Sequence, residues 1–167
     1  MVQVTTSRKA AVTLPTDEQI LITREFDAPK HLVYQAWTTP ELVKRWWHAN
    51  RGQATIAEID LRVGGKWRYV MIAEDGLEVG FHGEYREIVH NERVVSTEVY
   101  EGVPQGEGPE QGTLNTATFS EVDGSTTLTL LVQAPSKEIR DAIIDSGMED
   151  GLQDALQLLE EVANSLR

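Results

Sequence analysis

The chain has 167 residues, enough for one domain with a real core and small for two. Fifteen Lys and Arg against 27 Asp and Glu give a formal net charge of −12, a field that repels nucleic-acid phosphates and anionic membranes. No cysteine is present, which excludes disulfides, thiolate catalysis, iron–sulfur clusters and Cys-type zinc sites.

Residues 1–18 are polar and aperiodic, and read as a loosely ordered arm in which Ala10–Leu14 can add an edge strand. The N-terminus lacks the apolar core of a signal peptide, and no apolar run is long enough to span a bilayer. A cytoplasmic protein is the expectation. Residues 19–167 then read as a single domain.

From Gln19 the pattern sharpens: Ile20–Phe26 alternates as a strand and stops at Asp27-Ala28-Pro29, with Asp27 placed to cap a helix and Pro29 in its first turn. Leu32, Val33, Ala36 and Trp37 recur at helical spacing. Thr39-Pro40 restarts the pattern, and Leu42, Val43, Trp46 and Trp47 form its apolar stripe. Two short helices therefore follow the first strand.

A run of strands comes next. Thr55, Ala57, Ile59, Leu61 and Val63 alternate with more polar neighbours, and Gly64-Gly65 suits a two-residue turn. Trp67, Tyr69 and Met71 share one face of the next strand, and Val79, Phe81, Gly83 and Tyr85 share one face of the strand after Glu74-Asp75-Gly76. Arg93–Tyr100, Thr113–Val122 and Thr126–Ala134 are further strands, the last two joined by the hairpin dipeptide Asp123-Gly124. Between them, Glu101 to Gly112 carries four glycines, two prolines and no basic residue, and reads as a long loop.

Ser136 caps a long closing helix whose stripe is Ile144, Met148, Leu152, Ala155, Leu159, Val162 and Leu166. Gly147 and Gly151 sit inside this pattern, allowing a bend or a close approach. The fold class is α+β: a curved antiparallel sheet of about six to seven strands wrapped on a long C-terminal helix. Any gap between the two is a natural ligand cavity.

Several stretches carry a family resemblance: Arg24–Pro29, Ala36–Trp47, Glu58–Trp67, Gly83–Ile88, and Gly147-Met148 with Gly151-Leu152. With the element order, they resemble the helix-grip (START-like, SRPBCC) superfamily, which includes pollen allergens and polyketide cyclases. Within it the chain looks most like the family named after activators of a heat-shock chaperone ATPase (AHSA-like). The resemblance covers about residues 19–165 and rests mostly on turn, cap and packing residues, which identify a fold better than a function.

The resemblance implies a pocket for Trp67, Tyr69, Met71, Phe81 and Tyr85, with the tyrosine hydroxyls orienting a ligand. Trp46 and Trp47 join the candidate ligand-binding set as stacking surfaces, although core packing accounts for tryptophans equally well. Met148 and Leu152 supply the helix side. Glu58, Asp60, Arg62, Lys66, Arg68, Glu84 and Arg86 read as a solvated outer face with cross-strand ion pairs, the alternative being a carboxylate base for an aldol-type cyclisation. His31, His48, His82 and His90 show no metal-ligand spacing, and no nucleophilic triad can be argued. No catalytic residue, metal or cofactor is assigned.

The leading expectation is non-enzymatic binding of a small apolar or aromatic molecule. The alternatives are a cyclase or aromatase, a chaperone ATPase activator homologue, and enediyne self-resistance by sacrificial cleavage at a glycine. For the last, Gly80, Gly83 and the loop glycines Gly102 to Gly112 are the candidate positions. A homodimer and a chaperone partner are both left open.

Overall fold

The structure is a computed structural model that describes residues 9–101 and 112–167. Its elements are β1 (Ala11–Thr13), β2 (Gln19–Phe26), α1 (Lys30–Thr38), α2 (Pro40–Trp46), β3 (Gly52–Ile59), β4 (Lys66–Ala73), β5 (Glu78–Val89), β6 (Arg93–Tyr100), β7 (Thr113–Val122), β8 (Ser125–Gln133), α3 (Lys137–Asp145) and α4 (Met148–Ser165). All strands pair antiparallel in one open sheet ordered β1-β2-β8-β7-β6-β5-β4-β3. Eight strands stand where the sequence suggested six to seven.

Strand β2 lies at one side of the sheet and β3 at the far edge, so α1 and α2 carry the chain between them. From β3 the chain returns by successive neighbours until β8 pairs with β2. Asp123 and Gly124 adopt φ of 52° and 80°, the positive pair that a two-residue type I′ turn requires.

One face of the sheet is apolar and the helices cover it. Ile20, Ile22, Phe26, Leu128, Val132, Phe119 and Val94 share a single core with Leu156, Leu159, Val162 and Ala163 of α4. Arg24 also points inward and is 1% exposed. Its guanidinium donates to the Glu25 carbonyl, bonds Gln157 Oε1 at 3.1 Å, meets Glu160 at 3.5 Å and lies 4.7 Å over the Phe26 ring. A buried cation is tolerated only when so partnered, and here the partners lock α4 to β2. Gln153 of α4 likewise bonds both backbone groups of Ala10, at 2.8 and 2.9 Å.

Several local expectations change. Asp27 does not cap α1; Pro29 occupies that position, and the Asp27 amide instead donates to Glu160 at 2.6 Å. Gly64-Gly65 is not a two-residue turn, because Asp60 to Gly65 all lie between β3 and β4. Leu61 and Val63 consequently leave the strand and are exposed. A bulge between Ala54 and Ile56 also takes Thr55 out of the alternation.

The closing helix is two helices. Gly147, at φ 84°, ends one and begins the other, since a left-handed residue cannot continue a right-handed helix. Ser136 does cap α3, its hydroxyl accepting from the Ile139 amide at 3.2 Å. The glycine-rich segment that reads as a long loop lies, for residues 102–111, outside the described residues. Among the described residues, no helix is long and apolar enough to cross a membrane.

Candidate functional site

Alternation along β4 turns Trp67 and Tyr69 to the helix-covered face, and pairing with β5 places them opposite Gly83 and Phe81. Trp47, just past α2, closes the group from the helical side. Its ring meets Tyr69 edge-on at 5.5 Å and Phe81 at 5.9 Å, while Trp67 lies 4.8 Å from Tyr69. Tyr100 of β6 extends the wall, 5.1 Å from Phe81. Trp47, Trp67, Tyr69, Phe81 and Tyr100 thus lie together, with Tyr85 bonded to Tyr69.

Gly83 makes this wall possible. A Cβ there would sit 1.8 Å from the Thr97 carbonyl oxygen and 2.6 Å from Trp67 Nε1. Without it, the Trp67 indole lies across position 83 and donates to the Thr97 carbonyl at 3.1 Å. The indole N–H is satisfied and its ring direction is set.

The remaining candidates fall elsewhere. Trp46 is 6% exposed, stacks on Trp37 at 5.3 Å and donates to the Ala36 carbonyl at 2.9 Å. It packs α1 against α2 and is not part of the wall. Met71 is buried toward the other end of β4, opposite Val79 and Ala54 and outside the main core. Met148 and Leu152, in the first turns of α4, are partly buried against the core.

A polar cluster lies on the same inner face, and the sequence reading missed it. Successive pairing puts Val94, Ser96 and Glu98 of β6 beside Ala117, Asn115 and Thr113 of β7. Val94 and Ala117 belong to the core, so Glu98 faces inward with them. Asn115 Nδ2 donates to Glu98 Oε1 at 3.2 Å, and Thr113 Oγ1 donates to Asn115 Oδ1 at 2.9 Å. The threonine fixes which way the amide points. Burial pushes the Glu98 carboxyl up, against the opposing pull of the Asn115 bond.

Tyr69 adjoins this carboxyl, and Tyr85 and then Tyr34 continue from Tyr69. Burial pushes the Tyr69 hydroxyl well above the usual phenol range, and neighbouring Tyr85 and Glu98 push it further. Tyr85 is raised by burial and by Tyr34, with the Tyr69 hydroxyl opposing. Burial also raises Tyr34, whose hydroxyl is sealed from solvent without a hydrogen-bond partner among the described residues. Tyr69 and Glu98 are each only partly covered by neighbouring side chains.

The other face carries the charges first considered for catalysis. Arg68 grips Glu101 through two 2.9 Å bonds, and His82 Nδ1 lies 2.9 Å from the same carboxylate. The Arg68 guanidinium first, then His82, holds the Glu101 carboxyl below its usual range against the opposing effect of burial. Arg86 pairs with Glu84 at 3.2 Å, and Arg62 with Asp60 at 2.8 Å. A groove of about 460 Å³ runs here, lined by Glu58, Lys66, Arg68, His82, Glu84 and Arg86 among others. Its ion pairs are half-exposed and weak. Glu58 and Glu84, paired across the strands with Arg68 and Lys66, therefore face away from the aromatic wall, whereas Asp60, in the β3–β4 connection, acts on Tyr85. Among the described residues no group of three or more His, Asp or Glu side chains is placed to hold a metal ion.

Solved structures share this architecture. A Rhodobacter sphaeroides protein superposes with a TM-score of 0.84 at 23% identity, covering 94% of this chain and 99% of its own. An Arthrobacter aurescens protein gives 0.82 at 23% identity over 93% and 91%. A Mycobacterium smegmatis protein gives 0.81 at 23% over 94% and 98%. Likeness at that identity establishes the fold alone. No relative of curated function matches the sequence. Residues 27–164, from the β2–α1 link almost to the end of α4, match the family model described as Activator of Hsp90 ATPase homolog 1-like protein. That span takes in the whole aromatic wall, the Glu98 cluster and the helix opposite, and the chain belongs to this family, with its helix-grip fold.

Proposed function

We propose that this protein binds a small, largely apolar or aromatic molecule between the inner face of β4–β6 and the C-terminal helix, without performing chemistry on it. The observation that carries this reading is the incomplete covering of the inward aromatic wall, where Trp47, Tyr69 and Phe81 are only partly buried against the core. Membership in a family with the helix-grip fold supports it, since this fold places a cavity at that position. Trp47, Trp67, Tyr69, Phe81 and Tyr85 would form one wall, Met148 and Leu152 the other. Trp46 and Met71 would act through packing.

Native mass spectrometry of the purified protein, followed by titration with a neutral naphthalene probe read by tryptophan fluorescence, tests the reading. A retained small molecule, or saturable quenching lost in Tyr69→Ala and Phe81→Ala, is the expected result. An empty chain whose fluorescence is indifferent to apolar aromatics would overturn it.

A second reading, a cyclase-type enzyme, is favoured by one observation: Glu98 is an inward carboxyl, raised by burial, beside the Tyr69 phenol, which is itself bonded to Tyr85. Its test is turnover of a polyketide-like substrate that Glu98→Gln abolishes. The sacrificial reading gains no such support. Gly80 faces outward beneath Glu101, Gly83 is wedged between Trp67 and Thr97, and most of the loop glycines lie outside the described residues. The co-chaperone reading rests on the family description alone.

A further inference from the structure

Glu98 is a carboxyl inside an aromatic enclosure, and its electrostatics are incomplete. Its one hydrogen bond comes from the neutral Asn115 amide. Among the described residues no Lys, Arg or His forms an ion pair with it, whereas Glu84, Glu87, Glu101 and Glu160 each have a cation. The second carboxylate oxygen accepts no hydrogen bond among the described residues and keeps accessible surface. Its near neighbours are themselves anion-poor hosts. Tyr69 and Tyr85 are phenols driven further toward the neutral form, and Asn115 and Thr113 are uncharged.

A buried carboxyl without a cation is costly to ionise, and something that supplies the cation relieves that cost. A neutral apolar occupant would leave Glu98 as it is, and an anion would be repelled. A protonated amine would give Glu98 a charge-assisted hydrogen bond. It would also present its positive charge to the faces of Trp47, Trp67, Tyr69 and Phe81, whose ring quadrupoles attract cations. The net charge of −12 favours the approach of such a ligand over that of any anion.

We propose that the occupant of this cavity is a protonated organic amine with an apolar or aromatic body, its ammonium hydrogen-bonded to Glu98. The proposal rests on the binding reading above and names the ligand class for the same site. Glu98 recognises charge; the aromatic wall and the α4 side chains recognise the apolar body. The outer carboxylates, already paired with arginines, take no part.

Three probes of one shape separate the outcomes: 2-naphthylmethylamine, the neutral 2-naphthalenemethanol and 2-naphthoate, titrated calorimetrically into the wild type, Glu98→Gln and the outer-face control Glu58→Gln. The expected result is that the wild type and Glu58→Gln bind the amine at least about tenfold more tightly than the alcohol, with the naphthoate weakest. In Glu98→Gln the amine should fall by about tenfold or more, to the level of the alcohol, while the alcohol stays within about twofold. Equal binding of amine and alcohol to the wild type, unchanged in Glu98→Gln, would overturn the amine assignment and leave the binding reading standing. Equal loss of both probes in Glu98→Gln would also overturn it, showing a structural role. Failure of all three probes to bind the wild type would overturn both.

Discussion

Burial at Glu98 acts on stability as well as on recognition. Its carboxyl is raised in the folded protein, so the native state holds that proton to higher pH than the unfolded chain does. Below the ordinary value of 4.5 both states are protonated and nothing is lost. Above it, ionisation increasingly penalises the folded state, and stability falls as pH rises through the folded value. Glu98→Gln keeps the acceptor for Asn115 and removes the charge. Urea denaturation at about pH 8 should find it more stable than wild type by on the order of 1 kcal/mol, the gap closing near pH 4. A wild type as stable as the variant at both pH values would contradict this. The residue proposed to recognise the ligand is thus one the fold would be better without, a common position for functional groups. Gly83 has the opposite character. Gly83→Ala drives a Cβ into the Thr97 carbonyl and the Trp67 indole, and should cost about 1–3 kcal/mol with a shifted tryptophan emission. Unchanged emission and midpoint would show that β5 and β6 can separate freely.

At the scale of elements, the two C-terminal glycines part company. Gly147 stands at φ 84° with no atom near its open side, so Gly147→Ala meets no clash and pays only for a left-handed backbone, about 1–2 kcal/mol. Gly151 lies within α4 at ordinary helical angles, also with open space around a new Cβ. Gly151→Ala should therefore stabilise by about 0.5–1 kcal/mol. Thermal melts of the two variants should move in opposite directions, and movement in one direction would refute this account of the break. A seven-position stripe spanned both glycines, so periodicity alone joined α3 to α4. The break is a backbone fact, set by one dihedral. Bulges have the same status. The shift between Tyr85 and Glu87 lets Ile88 return to the core face after Phe81, Gly83 and Tyr85 have used the odd positions.

Across the whole molecule, α4 is the element on which sheet and helices converge. Leu159 is fully buried in the core shared by β2, β7, β8, α1 and α2, and Arg24 fastens the same helix through Gln157 and Glu160. Leu159→Ala should lower the unfolding free energy by about 2–5 kcal/mol. Single-probe and circular-dichroism transitions should still coincide, since one core spans all the layers. Separate transitions for sheet and helix would show that α4 docks independently. The aromatic wall stands on β4 and β5, while that packing lies mostly on β2, β7 and β8. A helix held firmly along one flank can leave space along the other, which is the arrangement a binding cavity needs.

Much of this was legible in the residues themselves. Period-two alternation marked most of the strands, Asp123-Gly124 their tightest turn, Ser136 a helix cap, and the spacing of Leu159 and its neighbours the buried stripe. These are local rules, enforced by backbone sterics and by which side of an element meets water. The aromatic half of the candidate site followed, because Trp67, Tyr69, Phe81 and Tyr85 lie in phase on adjacent strands. Glu98 did not. On β6 the positions Val95, Thr97 and Val99 are more apolar than Val94, Ser96, Glu98 and Tyr100, so hydrophobicity along the strand does not mark Glu98 as inward. Its face was decided by pairing with β5 and β7, which aligns Val94 with Ala117 and carries Glu98 inward, while Val99 is buried on the outer side. Composition along one strand records an average environment. Which of its faces meets the cavity is a property of the register with its neighbours, and that exists only once the sheet has formed.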